Sequence, residues 1–248
     1  MRVGVVTFPG SNCDYDAYAA FRHVLDYPVE FLWHGDADLH NVDCVILPGG
    51  FAFGDYLRAG AIARFSPVMR SVIAFAETGG LVWGICNGFQ VLLEAGLLPG
   101  AMRRNASMRF ACQWVRIKVE STQTPFLLGC RKGQILRMPI AHAEGNYFAD
   151  EDVLDELEDS GRVVLRYVRA DGTPDPRANP NGSRRNIAGI INAQGNVLGM
   201  MPHPERAVER ILGSDDGLAM FHSLVGAGVV ASGVPTQTVK PVERRAQV

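Results

Sequence analysis

Leu81-Val82-Trp83-Gly84-Ile85-Cys86-Asn87-Gly88-Phe89-Gln90 reads as a short apolar strand that ends in a sharp turn, presents a cysteine and passes at once into a helix. Its centre is a G-x-C-x-G nucleophile elbow. The two glycines supply the backbone freedom and the missing side chains that so tight a strand-to-helix turn requires. A helix beginning under the sulfur stabilises a thiolate with its positive end, and it leaves the Asn87 N–H free to face a developing oxyanion. The same five residues also fit a buried structural cysteine in a βα turn, since free cysteine is among the most buried residue types. The rest of the chain has to choose.

On either side of the elbow, short apolar runs alternate with longer segments of helical period, the pattern of a parallel sheet covered by helices on both faces. Val3 to Phe8, Val29 to Trp33, Cys44 to Leu47 and Leu81 to Ile85 read as buried strands, with Ala17 to Leu25 and Phe65 to Glu77 as helices. Ligands on such sheets bind at the carboxyl ends of the strands. Pro9-Gly10-Ser11-Asn12, Pro48-Gly49-Gly50-Phe51 and the elbow all follow strand ends, so these loops should converge on one edge. After Gly96 the texture changes. Trp114 to Val119 and Gln134 to Met138 alternate like half-exposed strands and predict antiparallel sheet. Asp150 to Asp159 predicts a short acidic helix, and residues 171–185 a long polar loop of the kind that often forms a binding surface. Ile187 to Asn192 and Val197 to Met201 return as strands joined by the Gln194-Gly195-Asn196 turn, and Leu218 to Val225 closes the fold as a helix.

A chain of 248 residues that is 47% hydrophobic can bury a sizeable core in one domain. We expect that domain over residues 1–233 and a disordered tail over 234–248. No apolar run reaches bilayer span and the N-terminus enters a strand directly, so the expectation is a cytoplasmic protein with no membrane partner. With 24 basic and 26 acidic side chains the net charge is −2, which gives no drive towards nucleic acid. The cysteines, at 13, 44, 86, 112 and 130, are odd in number and form no C-x-x-C pair. Neither a disulfide framework nor a zinc site is indicated, and those other than Cys86 are expected to be structural.

The second chemical constellation is Met201-Pro202-His203-Pro204-Glu205-Arg206, where a histidine stands two residues before a glutamate. Pro204 pushes His203 towards extended geometry, and in an extended segment i and i+2 share a face. Glu205 could then orient one ring nitrogen while the other takes a proton from the Cys86 thiol. In isolation the same residues describe a packed histidine and a helix-starting acid. Together with the elbow, the catalytic reading is preferred.

The elbow and His203-Pro204-Glu205 resemble the class I, or triad, glutamine amidotransferases. Phe8 to Asp14, Pro48 to Phe51 with Gly54 to Ala61, Asn105 to Phe110 and Met201 to Arg206 narrow the likeness to the small glutaminase subunits of phosphoribosylformylglycinamidine synthases. The likeness spans roughly residues 1 to 225, and Gly54 to Ala61 is its most specific string. The expected fold is α/β and flavodoxin-like, an open, mostly parallel sheet with helices on both faces plus a small antiparallel strand extension. The resemblance implies that Cys86 attacks the side-chain amide of L-glutamine, that His203 carries the proton and that Glu205 holds His203. It also implies an oxyanion hole from Gly50, Phe51 and Asn87, and substrate contacts from Gln90, Asn105, Ser107, Arg109 and Phe110. The residues alone leave open a solvated helix face for Gln90 and ordinary surface for Arg109 and Phe110.

The chain shows no G-x-x-x-x-G-K-[ST] phosphate loop and no acidic cluster suited to magnesium. The resemblance therefore implies no metal or cofactor in this chain, with ATP and magnesium on a partner, the large synthetase subunit, and a third small subunit in the same complex. Ammonia would pass to that partner, which converts formylglycinamide ribonucleotide to formylglycinamidine ribonucleotide in purine biosynthesis. His142-Ala143-Glu144-Gly145-Asn146 resembles a rim facing the partner and is equally an ordinary polar turn. Two other classes remain open. A free-standing cysteine hydrolase, such as a γ-glutamyl hydrolase or a peptidase-like relative, shares elbow and triad but not Gln90 or the Gly54 to Ala61 block. A noncatalytic scaffold should lack a triad member, and none is missing.

Overall fold

Valine-, isoleucine- and leucine-rich runs of four or five residues, buried on both sides, can only be the centre of a sheet, and the computed structural model places them there. It describes residues 1–231, with side chains through 227. The expected tail at 234–248 lies outside the described residues. The elements run β1 (Val3–Thr7), α1 (Asp14–Ala19), β2 (Val29–Trp33), β3 (Cys44–Leu47), α2 (Pro67–Glu77), β4 (Leu81–Ile85), α3 (Asn87–Glu94) and β5 (Ala101–Arg103). There follow β6 (Ala111–Val119), β7 (Ile135–His142), β8 (Asn146–Phe148), α4 (Glu151–Asp159), β9 (Val163–Tyr167), β10 (Ile187–Ile191), β11 (Val197–Met200) and α5 (Leu218–Ala231).

Nine strands form one sheet in the order β2-β1-β3-β4-β11-β10-β9-β6-β7. From β2 to β11 every pairing is parallel, and beyond β11 every pairing is antiparallel. The parallel half is thus the 2-1-3-4-5 arrangement of flavodoxin-like sheets, with the fifth strand delivered late in the chain. The antiparallel extension carries four strands and is continuous with the sheet, while β5 and β8 pair separately. On β7 buried and half-buried residues alternate strictly, as the period-2 sequence predicts.

Helices cover both faces. On one, α3 lies so close that a Cβ on Gly199 would strike Phe89, one on Gly84 would strike Leu92, and one on Gly88 would run into the Leu47 carbonyl. On the other, Trp83 packs 5.1 Å from Phe221 of α5, which meets Phe21 at 5.0 Å. Several elements depart from expectation, the unforeseen β5 and β8 among them. The helix expected at Ala17 to Leu25 begins earlier as α1 and continues as a wider π turn over Ala20–Val24. β9, unforeseen, joins β6 to β10. Finally, β7 runs on to His142, which pairs with Ala111, so the expected His142 turn is the end of a core strand.

Candidate active site

Cys86 occupies the joint between β4 and α3 with φ 50° and ψ −104°, a left-handed conformation that a side chain adopts only under constraint. Its N–H donates to the Met200 carbonyl at 2.7 Å, extending the β4–β11 ladder by one residue, and its carbonyl accepts from Gln90 N–H at 3.2 Å. The sulfur is buried, 3.8 Å from the Ala141 carbonyl of β7. Asn87, the first residue of α3, braces the elbow. Its Oδ1 accepts from Ala52 N–H at 3.0 Å, and its Nδ2 donates to Gln90 Oε1 at 2.8 Å and Asp55 Oδ1 at 3.3 Å.

His203 leaves the end of β11 in extended geometry, its N–H held by the Pro139 carbonyl of β7 at 2.9 Å. Nδ1 lies 2.6 Å from Glu205 Oε1, with the two side chains 1% and 0% exposed. Burial disfavours the imidazolium, yet the Glu205 carboxylate, then Cys86 and Cys13, outweigh it and hold the His203 pKa well above the usual imidazole value. Nε2 has no hydrogen-bond partner among the described residues. A buried, unpartnered ring nitrogen beside a thiol is poised to exchange a proton. The other buried histidine, His142, is neutral. Burial, helped by the His203 charge, lowers its pKa to about 3, and its Nε2 pairs with Asn181 Nδ2 at 3.1 Å.

Two hollows flank this pair. One of about 220 Å³ is lined by Asp55, Cys86, Gln90, Arg104 and Glu144, and one of about 130 Å³ by Asn12, Cys13, Phe110, His203 and Arg206. Gly50, Phe51 and Ala141 form a wall common to both. Gln90 therefore faces the site and not solvent, fixed by its Nε2 on the Glu144 carbonyl at 2.6 Å.

Other expectations need correction. The Phe51 N–H is committed to the Gly10 carbonyl at 3.0 Å by the bridge between Ser11 and Gly50, so it cannot donate to an oxyanion. Among the described residues the Gly50 and Asn87 N–H groups are not so committed. Asn105 is fully buried and ties the chain together, donating to the Arg109 and His142 carbonyls at 2.8 Å each and accepting from Gly145 N–H. Ser107 and Arg109 are exposed and line neither hollow; only Phe110 of that segment does. The 171–185 loop is buried only at Asn181 and Ser183, where Asn181 Nδ2 reaches His142 Nε2 and the Tyr167 hydroxyl and Ser183 Oγ donates to the Ile187 carbonyl.

Sequence reasoning also missed Cys13, expected to be structural. Its sulfur accepts from Arg206 Nη2 at 3.1 Å, and Arg206 Nε reaches Asp16 at 2.9 Å. Burial raises the Cys13 pKa despite His203 and Arg206 beside it. Cys13, His203 and Glu205 bring one ligand atom each within 4.8 Å of one another. The His203–Glu205 bond and the guanidinium on the Cys13 sulfur already engage those atoms, which makes the cluster an acid–base network. Only an i,i+2 or i,i+4 spacing could have announced Cys13, and it lies 190 positions from His203.

The model of the CobB/CobQ-like glutamine amidotransferase domain matches residues 1–217. The chain is 60% identical over 225 residues to the phosphoribosylformylglycinamidine synthase subunit PurQ of Moorella thermoacetica, covering 91% of this chain and 95% of that protein. It is 58% identical over 224 residues to the same subunit of Salinibacter ruber, covering 90% and 95%. The solved structure of PurLQS from Thermotoga maritima contains a chain that superimposes with a TM-score of 0.81 at 44% identity, covering 91% of this chain and 97% of that one. At 13% identity and a TM-score of 0.59, the glutaminase domain of Trypanosoma brucei CTPS shares the fold.

Proposed function

The chain belongs to the CobB/CobQ-like glutamine amidotransferases, among the PurQ subunits of phosphoribosylformylglycinamidine synthase, and from that membership we propose that it hydrolyses L-glutamine and hands the ammonia to a synthetase subunit. The observation that carries the chemistry is the unpartnered Nε2 of a buried, Glu205-paired His203 next to the elbow thiol. Cys86 attacks the side-chain amide carbon, and the proton it gives up passes to His203 and then to the departing ammonia. The glutamyl thioester left on Cys86 is hydrolysed by water that His203 deprotonates, releasing glutamate. Glu205 fixes the ring so that Nε2 faces the thiol, and it stabilises the imidazolium. The N–H groups of Gly50 and Asn87 receive the oxyanion, each worth about 10²–10³ in rate. Residue 50 is at φ +134° and its N–H is turned away from the Ser11 bridge, which favours this role.

Ammonia released into water becomes ammonium and loses its nucleophilicity, so a partner must dock over the site. The PurLQS assembly is the basis for expecting the large synthetase subunit there, together with a third small subunit. ATP and magnesium belong to that large subunit, where formylglycinamide ribonucleotide becomes formylglycinamidine ribonucleotide. Among the described residues no helix is long and apolar enough to cross a membrane. Glutamate release from L-glutamine, measured with and without the large subunit and its nucleotide, tests the reading. Stimulation on mixing that Cys86→Ala abolishes is the expected result, and undiminished release by Cys86→Ala would remove the nucleophile.

A further inference from the structure

The mechanism above uses Cys86, His203 and Glu205, and it leaves a second thiol beside the same histidine without a role. Cys13 is 2% exposed, and its sulfur, the His203 ring and the Glu205 carboxylate each bring one atom within 4.8 Å of the others. Three loops make this junction. Cys13 comes from the loop after β1 and His203 to Arg206 from the turn after β11. Gly49, from the loop after β3, lies flat against both, since a Cβ there would come 2.6 Å from His203 Cε1 and 3.1 Å from the Cys13 sulfur.

Glu205 spends Oε1 on His203 Nδ1 at 2.6 Å, while its Oε2 is buried with no hydrogen-bond partner among the described residues. A buried carboxylate oxygen without a donor is costly. The next residue in the chain, Arg206, carries the fork of donors that carboxylates pair with most strongly. Its guanidinium is nevertheless turned towards α1. Nη2 donates to the Cys13 sulfur at 3.1 Å, and Nε donates to Asp16 Oδ2 at 2.9 Å. Cys13 and Asp16 stand three positions apart at the start of α1, a spacing that puts both on one side of a helix.

This placement has an electrostatic consequence. A guanidinium closed on Glu205 Oε2 would put a positive charge against the carboxylate that stabilises the His203 imidazolium, and would cancel much of that carboxylate's field at the ring. His203 would then be a weaker base. The remaining titratable groups at the ring are Cys86 from the elbow, His142 from β7 and Cys13 itself. Of these only Cys13 bonds Arg206.

We propose that Cys13 and Asp16 are positioning residues of the glutaminase, which hold Arg206 off Glu205 so that the whole carboxylate charge is kept for His203. The inference rests on the glutaminase reading and adds a part to it. It gives the second thiol a task in which it is neither nucleophile nor metal ligand.

The test reads the His203 pKa in two ways. One is the limb of the pH–rate profile for glutamate release that reports His203, measured on the complex with the large synthetase subunit. The other is the imidazole titration of the full chain by NMR, assigned by its loss in His203→Gln. Cys13→Ala and Asp16→Ala together should lower this pKa by about one unit, the lower end of the range for one nearby charge. In the complex kcat should fall by up to about tenfold at unchanged KM, because a weaker base takes the proton less readily. Cys13→Ser, which keeps an acceptor for Arg206, should recover most of the effect of Cys13→Ala. In an Arg206→Gln background the same two alanines should leave the pKa where Arg206→Gln puts it. No shift in the double variant, or a shift of equal size without Arg206, overturns the proposal. Should the double variant not fold, Asp16→Ala alone, at a half-buried residue outside the core, decides between the same outcomes with a smaller shift. A wild-type complex that releases no glutamate overturns the glutaminase reading, while the NMR titration still shows whether Arg206 is held off Glu205.

Discussion

Asp55 links stability to pH, because its carboxyl titrates near 6 in the fold and near 3.8 in the unfolded chain. Between those values the folded state binds more protons, so stability contributed by this residue is greatest below about 3.8 and is lost as pH rises through about 6. The sign is opposite to that of a salt-bridged acid. Asp55→Asn should therefore stabilise the chain at pH 7 by about 1 kcal/mol, solvent screening at a half-buried site having reduced the full shift. Near pH 4 the gain should shrink towards zero. Urea unfolding at the two pH values checks this, and an unchanged midpoint at pH 7 would show that Asp55 is not penalised in the fold. At Glu205 the expectation is reversed, since its charge is the largest influence raising the His203 pKa. Glu205→Gln should move the acidic limb of the pH–rate profile and cut kcat by about 10²–10⁴, as expected when a histidine loses the carboxylate that sets its tautomer. Gly88→Ala tests packing alone. Its Cβ would meet the Leu47 carbonyl, and neither backbone can retreat, so equilibrium unfolding should show a loss of about 3 kcal/mol.

The segment from Phe51 to Ala61 shows how an element can be secured without being regular. Arg58 grips Glu94 of α3 with two bonds of 2.6 Å, and Gly60, at φ +80°, lies flat on the α3 backbone where a Cβ would strike Gln90 and Val91. An exposed ion pair of this kind contributes about 0.5–1 kcal/mol to stability. It also ties the segment to the helix that carries the elbow. Arg58→Ala should thus lower the melting temperature only slightly, which a thermal melt checks. What the sequence announced at this level, and what it hid, follows from range. The elbow and His203-Pro204-Glu205 were legible because each compresses its geometry into five residues or fewer. The strands were legible because burial on both faces leaves a continuous apolar run. Cys13, Asp55 and Arg206 carried no local signature, since their surroundings come from loops that follow β1, β3, β4 and β11 at one edge of the sheet. The Phe51 N–H was misjudged for the same reason. Its partner, Gly10, belongs to a different loop, and the bridge that commits it exists only once β1 and β3 pair.

Seen as a whole, the molecule leaves apolar side chains uncovered where its chemistry opens. Phe51 and Phe110, which line the hollows beside Cys86 and His203, are 44% and 51% exposed, and Tyr56 and Leu57, directly after Asp55, are 92% and 71% exposed. Singly such residues mean nothing, but grouped around a site that must keep ammonia from water they describe a docking face. The anchorage of the Phe51 to Ala61 segment adds to this. Because Arg58 and Gly60 fix the segment to α3, Tyr56 and Leu57 are presented on a preordered support, and binding need not order them. Truncating residues of this kind at the centre of an interface costs about 1.5–3 kcal/mol, or 10–100-fold in affinity. Replacing Tyr56 and Leu57 together by serine should weaken binding to the large synthetase subunit by that factor, measured by calorimetry, with no loss in melting temperature because neither side chain is in the core. Stimulation of glutamate release by the partner should fail at low partner concentration and return at saturation, which separates lost docking from lost catalysis. If affinity and stimulation stay at wild-type values, the partner binds elsewhere, and the route of ammonia must leave the site by another side.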